Sequence, residues 1–399
     1  MPPREQDAKF MKRALTLAAE TAALASPNPQ VGCVLVRKDK VIGEGAHIYD
    51  HLDHAEIVAL KQAAARGLGT KGATAYVTLE PCSHQGRTGP CADALIGAGI
   101  SRCVVATVDP NPLVAGAGIA KLRAAGIEVS VGLCQDAARE INEAFAHFIQ
   151  TRTPFVTLKA ALSVDGKLAP PPALRQPNKP YWLTGPAALA EVHRLRHAAD
   201  AILTGIGTVL ADDPALTDRR FAFEAVPSVP LPRRRKLLRV VLDTHLRIPL
   251  DSQLVRTARE DVLILCGTAA PAAKIAALDA EGVQVEPIIG RGAAYGGRLS
   301  LPTVLATLAD RNILNLLLEC GSHLNGSFLT QRLVDKVVLF YSETELGEGA
   351  IPFAQGIASP YQFEQTLRRV TRTTFGPPEK PDACVTGYLT DPWPLAPSP

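Results

Sequence analysis

Apolar residues recur along the chain with two periods, and these divide it into elements. Over residues 7–24 they fall at Phe10, Ala14, Leu17, Ala18 and Leu24, near the helical repeat. Ser26-Pro27-Asn28-Pro29 stops that helix, since two prolines exclude its continuation. Residues 31–36 form an apolar run that reads as a buried strand, 38–40 a polar turn, and 41–45 the returning strand of a hairpin. A helix is expected over 54–66, capped by Asp53, with Ile57, Val58 and Leu60 on its apolar side. Strand 73–79, helix 92–97, strand 103–108, helix 119–125, strand 129–131 and helix 135–150 complete an alternating series.

Thr151-Arg152-Thr153-Pro154 is the expected junction to a second series. Its strands are expected at 155–158, 201–205, 239–242, 262–266, 314–318 and 336–341, with a helix at 189–197. Residues 169–180 hold five prolines and predict an irregular loop. The pattern therefore predicts two α/β domains, 1–150 and 151–372, followed by a Pro-rich, weakly ordered tail over 373–399. No internal repeat is evident. Sites are expected where the strands end.

Composition fits this picture without redirecting it. At 399 residues the chain has room for about two to three domains. A hydrophobic share of 47% and a charged share of 20% are those of a globular chain. The net charge of +3 gives no push toward nucleic acid or membrane, and a phosphorylated small substrate needs only a local basic cluster. No apolar run approaches the roughly 20 residues of a membrane span. Met1-Pro2-Pro3-Arg4-Glu5-Gln6-Asp7 lacks the apolar core of a signal peptide. Eight dispersed cysteines make no dense disulfide framework; Cys33, Cys266 and Cys320 lie in apolar runs and read as small buried hydrophobes. The expectation is a cytoplasmic protein, a homo-oligomer, with a small-molecule partner and neither nucleic acid nor membrane.

The candidate chemistry lies between His54 and Cys91. His54-Ala55-Glu56 is followed by Pro81-Cys82 and, after residues 83–90, by Cys91. One imidazole and two thiols can hold a zinc ion tetrahedrally and leave a fourth position open for water. Glu56, two residues beyond the imidazole, is placed to carry protons. H-x-E with a later P-C…C is the known signature of zinc nucleobase deaminases and is applied here as such. Each residue alone has a plainer reading: a capping His, or buried Cys. His84 is a spare imidazole in the same loop and reads as a substrate contact or loop hydrogen-bonder.

The motifs are more specific in combination. Ser26-Pro27-Asn28-Pro29-Gln30-Val31-Gly32, His54-Ala55-Glu56, the Pro81–Cys91 loop and Asp109-Pro110-Asn111-Pro112 closely resemble the deaminase half of the bifunctional riboflavin-biosynthesis pyrimidine deaminase/reductase family, RibD type. Val156-Thr157-Leu158-Lys159-Ala160, Ser163-Val164-Asp165-Gly166-Lys167, Trp182-Leu183-Thr184-Gly185, Gly205 to Pro214 and Leu318-Glu319-Cys320-Gly321 resemble its second half. The likeness covers roughly residues 5–345 in order.

This resemblance implies a cytidine-deaminase-like three-layer domain followed by a dihydrofolate-reductase-like α/β domain. The first would hydrolyse the 2-amino group of a diaminopyrimidinone ribosyl phosphate with one zinc per chain, held by His54, Cys82 and Cys91, and with Glu56 as proton carrier. The second would reduce ribosyl to ribityl with NADPH. Asn28, His47, Arg87, Asp109 and Asn111 match the family's deaminase substrate positions; Asn28 and Asn111 also sit between prolines, where turn-forming side chains are expected anyway. Lys159, Arg196, Leu216, Arg219 and Glu319 match reductase substrate positions. A lone Lys near a strand end, such as Lys159, is also an ordinary snorkelling residue. Ala161, Trp182, Thr208, Asp212, Thr244 and the run Gly321, Ser322, His323, Leu324, Asn325, Gly326 and Ser327 match cofactor positions, with Asp212 set near the ribose. The glycine turn at 321 would present backbone N–H groups to a phosphate. Gly205-Ile206-Gly207-Thr208 lacks the third glycine, at Leu210, of a dinucleotide fingerprint.

Departures from the family are His51 in place of Gly, Gly89-Pro90 in place of Pro-Pro, and Asn178-Lys179-Pro180-Tyr181 in place of a Gly-x-Ser before Trp182. The serine's contact is then missing or taken over by Lys179. Arg233-Arg234-Arg235-Lys236 reads as a solvated basic loop. The competing readings are a zinc deaminase acting on a nucleic-acid base, with an accessory domain that is no reductase, and a pyrimidine-binding scaffold without turnover. Aromatic content of 5% and the long gap between Cys82 and Cys91 argue against the first; intact His54, Glu56, Cys82 and Cys91 argue against the second for the first domain, while the altered loop before Trp182 leaves it open for the second domain.

Overall fold

The computed structural model describes residues 6–86, 88–112, 114–176, 179–220, 233–288 and 299–393. The chain forms two compact units. One collects residues 1–152, 232–234 and 392–399, the other 153–231 and 235–391.

The first unit is built on a five-stranded sheet. Its strands are β1 (Gly32–Arg37), β2 (Lys40–Ala46), β3 (Thr74–Val77), β4 (Arg102–Val105) and β5 (Glu128–Val131), in the order β2-β1-β3-β4-β5. β1 pairs antiparallel with β2 and β3, while β3, β4 and β5 run parallel. The helices are α1 (Asp7–Ala19), α2 (Ala55–Ala65), α3 (Cys91–Gly97), α4 (Ala117–Ala124), α5 (Gln135–Ile141) and α6 (Glu143–Thr151). Side chains alternate across a strand, so the sheet feeds two cores. Cys33, Leu35, Ala75, Val77, Cys103 and Val105 pack with α2, α3 and α4. Val34, Val36, Tyr76 and Val104 pack with Phe10, Met11 and Ala14 of α1 and Ala138 of α5. The result is three layers.

The second unit is a nine-stranded sheet. Its strands are β6 (Phe155–Leu162), β8 (Ala201–Gly205), β9 (Leu238–Leu242), β10 (Val262–Gly267), β11 (Gln284–Ile288), β12 (Asn315–Leu318), β13 (Lys336–Tyr341), β15 (Arg368–Phe375) and β16 (Asp382–Tyr388); β7 (Lys167–Ala169) and β14 (Ile351–Pro352) form a separate pair. The order β11-β10-β9-β8-β12-β6-β13-β16-β15 is parallel as far as β13 and antiparallel beyond it. Helices α7 (Pro186–Ala198), α8 (Ile206–Asp212), α9 (Gln253–Arg256), α10 (Ala272–Ala280), α11 (Leu301–Asp310), α12 (Ser322–Thr330) and α13 (Pro360–Glu364) flank it. Val156, Leu158, Leu203, Leu316 and Leu318 pack under α11 and α12 on one face, and Ile202, Val241, Ile264 and Leu317 under α8, α9 and α10 on the other. Among the described residues no helix is long and apolar enough to cross a membrane.

Several sequence expectations change. The first helix ends at Ala19, five residues before the last apolar position of its pattern. The helix expected over 135–150 breaks at Asn142. There the buried side-chain amide accepts from the Gln30 N–H (2.8 Å) and donates to its carbonyl (2.9 Å), a long-range partner that outweighs local helix continuation. The tail expected to be weakly ordered carries β16, which pairs with the central strand β13, and Trp393, whose indole donates to the Arg139 carbonyl at 3.1 Å. Arg234 is not simply solvated. It pairs with Asp50 at 2.7 Å, donates to the Ser26 carbonyl at 2.8 Å and covers the Tyr49 ring.

Candidate active sites

In the first unit the site gathers at strand ends, where an α/β sheet leaves room for ligands. β3 runs into Thr78-Leu79-Glu80-Pro81-Cys82, α3 begins at Cys91, and His54 is the N-cap residue of α2. The helix starts one residue later than expected, so His54 keeps an extended backbone (φ −76°, ψ 161°), and its side chain makes no capping bond to the helix. Two glycines of β2 let α2 lie close to the sheet. A Cβ on Gly43 would fall 2.2 Å from the Ala59 carbonyl, and one on Gly45 2.3 Å from the Ala55 carbonyl.

His54 Nδ1 lies 3.2 Å from Cys91 Sγ and 3.5 Å from Cys82 Sγ. All three donor atoms fall within 4.8 Å of one another. Zinc bonds of about 2.0–2.3 Å in a tetrahedron separate N and S ligands by roughly 3.5 Å, so the donor set fits the ion. The electrostatics agree. The Cys82 thiol is pushed down to about 4, first by the hydrogen bond from the Cys91 thiol, with burial opposing and His54 assisting. Cys91, which makes that bond, is held up. Glu56 is buried, beside the Cys91 thiol, and its carboxyl is raised to about 7, chiefly by burial and next by Cys82.

Around this cluster, Asn28 Nδ2 donates to His47 Nε2 at 3.0 Å, and His47 Nδ1 is 2.9 Å from the Asp53 carbonyl. The amide donor on Nε2 leaves the ring proton on Nδ1, donating to that carbonyl. The His47 and His54 rings meet edge to face at 5.2 Å. Asp109 Oδ1 accepts from the Asn111 N–H at 2.8 Å. Its carboxyl is raised to about 6, mainly by burial, with Glu80 among the lesser causes. Arg87 lies outside the described residues.

In the second unit a cavity of about 1490 Å³ opens at the carboxyl ends of β6, β8, β9 and β12. Lys159, Ala161, Thr208, Asp212, Thr244, Glu319, Gly321, Ser322, His323, Leu324 and Ser327 line it. The starts of α8 and α12 turn backbone N–H groups toward it, and Gly207 has open space where a Cβ would be. This suits a dinucleotide phosphate. Glu319 sits between two cations. Burial pushes its carboxyl up, but Arg196 and Lys159 outweigh burial and hold it at about 2. Burial lowers the Lys159 ammonium, against the pull of Glu319.

Other expected residues lie elsewhere. Asn325 is buried and donates to the Phe353 carbonyl at 3.0 Å, and a Cβ on Gly326 would meet the Gln355 carbonyl at 2.1 Å; both are packing residues of α12 outside the cavity lining. Trp182 is 60% exposed, Leu216 is in the core beneath α8, and Lys179 is exposed. The irregular loop reaches the cavity through Ala169, Pro172 and Arg175, the last of which pairs with Asp212. The residues missed in the sequence are Arg175, Glu80 and a histidine pair on α7. His193 Nδ1 accepts from the Arg219 N–H at 3.1 Å, and His197 meets Asp218 at 2.8 Å, together holding the strand of chain that carries Arg219. The i, i+4 spacing of the two histidines was the available signal. Arg175 had none.

Known proteins share this plan. The family described as the cytidine and deoxycytidylate deaminase zinc-binding region matches residues 4–107, and the RibD C-terminal domain matches residues 154–376. The riboflavin biosynthesis protein RibD of Aquifex aeolicus is 41% identical over 365 residues, covering 92% of this chain and 94% of that one. The Escherichia coli protein of the same name is 37% identical, covering 90% and 95%. Among solved structures, Acinetobacter baumannii RibD is 35% identical with a TM-score of 0.77, covering 96% and 99%. A diaminohydroxyphosphoribosylaminopyrimidine deaminase/5-amino-6-(5-phosphoribosylamino)uracil reductase from Thermotoga maritima is 30% identical, also with a TM-score of 0.77 and coverage of 96% and 99%.

Proposed function

The chain belongs to the RibD family of riboflavin-biosynthesis enzymes, a zinc deaminase joined to an NADPH-dependent reductase, and on that footing we propose which of its residues carry each step. Its substrate is then 2,5-diamino-6-(5-phosphoribosylamino)pyrimidin-4(3H)-one, and its final product 5-amino-6-(5-phosphoribitylamino)uracil. A nucleic-acid-base deaminase with a non-reductase partner domain is set aside, because residues 154–376 match the RibD reductase domain.

The observation that carries the deaminase assignment is the convergence of His54 Nδ1, Cys82 Sγ and Cys91 Sγ beside the buried Glu56. His54, Cys82 and Cys91 would hold the zinc. Bound there, the ion supplies the Lewis acidity that makes water nucleophilic near neutral pH. Glu56, buried beside the Cys91 thiol, accepts a proton from the attacking water and delivers it to the departing amino nitrogen, so that water and amine exchange at the ring carbon and ammonia leaves. The preset amide–imidazole pair of Asn28 and His47, together with Asp109 and Asn111, orients the pyrimidine and its substituents.

In the second unit, NADPH supplies the hydride when bound. The N–H groups of Gly321 and Ser322 at the start of α12 would take its phosphates, and Thr208 and Thr244, which line the same cavity, would contact it. Lys159 and Glu319 face the ribose, and Arg196 fixes Glu319 from behind. Eight cysteines with no disulfide among them suit a reducing, cytoplasmic setting.

The deciding experiment follows ammonia release and NADPH oxidation separately. Glu56→Gln should abolish ammonia release while the variant still reduces pre-deaminated substrate. Retained deamination, or loss of both activities, would sink the assignment.

A further inference from the structure

Glu80, two residues before the ligand Cys82, has no part in the roles above, yet its carboxylate makes four hydrogen bonds in a buried position. Oε2 accepts from the backbone N–H groups of Asp109 (3.2 Å) and Gly116 (2.9 Å). Oε1 accepts from Gly118 (2.9 Å) and Ile119 (3.1 Å). The last two donors belong to the first turn of α4, whose own N-cap residue, Gly116, makes no side-chain cap. A carboxylate from a neighbouring strand end thus caps the helix and at the same time holds the loop before it. Charge-assisted bonds of this kind are about twice as strong as neutral ones.

The contact is close as well as polar. A Cβ on Gly118 would fall 1.9 Å from the Pro81 carbonyl, so α4 rests directly on the residue before Cys82. Glu80 is itself tied to the segment that follows β4 by its N–H, which donates to the Thr107 carbonyl at 3.0 Å. One side chain therefore links the strand end bearing a metal ligand to the loop bearing Asp109 and Asn111.

We propose that Glu80 is a positioning residue of the deaminase: its four-bond clamp fixes where Asp109 and Asn111 stand relative to the metal centre, and so sets the fit of the substrate without touching it. The proposal rests on the reading of Asp109 and Asn111 as substrate contacts. A carboxylate is required because all four donors are N–H groups. An amide at this position would turn its own NH2 toward two of them and lose that half of the clamp.

The test is Glu80→Gln in the full-length, zinc-loaded enzyme, assayed for ammonia release, zinc content and reduction of pre-deaminated substrate. The expected result is a rise in the deaminase KM of about tenfold or more, with a smaller fall in kcat, about one zinc per chain and unchanged reduction. An unchanged KM in a folded, zinc-loaded variant overturns the proposal. So does a kcat that falls in step with zinc content at constant KM, which would make Glu80 a fold residue only. Should Glu80→Gln fail to fold, Gly116→Ala decides. It strains one donor, whose φ is +82°, without touching the carboxylate or the metal ligands. A KM raised by about threefold sustains the clamp, and an unchanged KM overturns it. Asp109→Asn separates the two layers of the argument: if it leaves KM unchanged, the reading of Asp109 fails and the proposal falls with it.

Discussion

Arg196 clasps Glu319 from 123 positions away, its Nε and a terminal nitrogen each bonding one carboxylate oxygen, at 2.7 and 3.0 Å. Lys159 stands 3.6 Å from the same carboxylate. Two largely buried cations thus share one anion, and removing it takes the carboxylate from Lys159 and the bidentate partner from Arg196, a loss that typically costs about 3–5 kcal/mol. Glu319→Gln should lower reductase kcat/KM by about a hundredfold or more and leave ammonia release within about twofold of wild type. Equal loss of both activities would contradict a role confined to the second unit.

His193 gives a pH signature. Its imidazole is lowered to about 4, chiefly by burial and then by Arg196 and Arg219, with Glu319 and Asp218 opposing. An unfolded imidazole takes its proton near pH 6.5. Between about pH 6.5 and 4 the unfolded chain therefore binds a proton that the folded one refuses, and stability falls as pH falls. Above pH 7 the difference in unfolding free energy between wild type and His193→Gln should be constant. Below 6.5 it should shrink by up to about 1.4 kcal/mol per pH unit, read from urea titrations at each pH. A flat difference down to pH 4 would refute the buried neutral imidazole.

Gly45 is a steric gate on the metal centre. Alanine there would place its Cβ 2.3 Å from the Ala55 carbonyl and 2.7 Å from the Ala59 nitrogen, so α2 must move, and His54 with it. Gly45→Ala should purify with well under one zinc per chain and correspondingly little deamination. Full zinc occupancy measured by metal analysis would show that α2 yields without displacing its N-terminus.

Asp7 and Arg102 form a buried bidentate pair at 2.8 and 2.9 Å, joined by the Tyr76 hydroxyl at 2.7 Å. Arg102→Ala should destabilise the first unit by about 3–5 kcal/mol, because the buried Asp7 carboxylate loses its bidentate cationic partner. The double replacement Asp7→Leu with Arg102→Leu should cost much less. Calorimetry on both variants checks this, and equal losses would deny the pair its electrostatic character.

The legible parts of the chain were those whose signal is local. Pro81-Cys82 and His54-Ala55-Glu56 announced their chemistry because a metal ligand set is a matter of residue type and order. The apolar runs of β1, β4, β10 and β13 announced strands because their burial on both faces leaves no polar alternation. What escaped depends on distant partners. Asn142 breaks a helix only because Gln30 lies across from it. β15 is an edge strand, exposed over most of Arg368–Phe375 and rich in Arg and Thr, so it lacks the apolar rhythm of a strand, and the prolines after it disguise a hairpin as a tail. Asn325 and Gly326 belong to a run that resembles a cofactor loop, but only its first residues and Ser327 face the cavity, since α12 turns the others into its packing against Gln355 and Phe353.

The place of β6 in its sheet has a consequence in time. It is the first strand of the second unit to be made, yet it lies between β12 and β13, whose residues follow it by more than 150 positions. During synthesis the five strands of the first unit are all available once residue 131 has emerged. β6, with six of its eight positions buried in the finished sheet, must wait unpaired until Asn315–Leu318 and Lys336–Tyr341 arrive. Non-local pairing of this kind is slow and leaves apolar strand exposed meanwhile. The nascent reductase half is therefore the part of this chain that needs protection from aggregation, and the metal-binding half is the part that can form first.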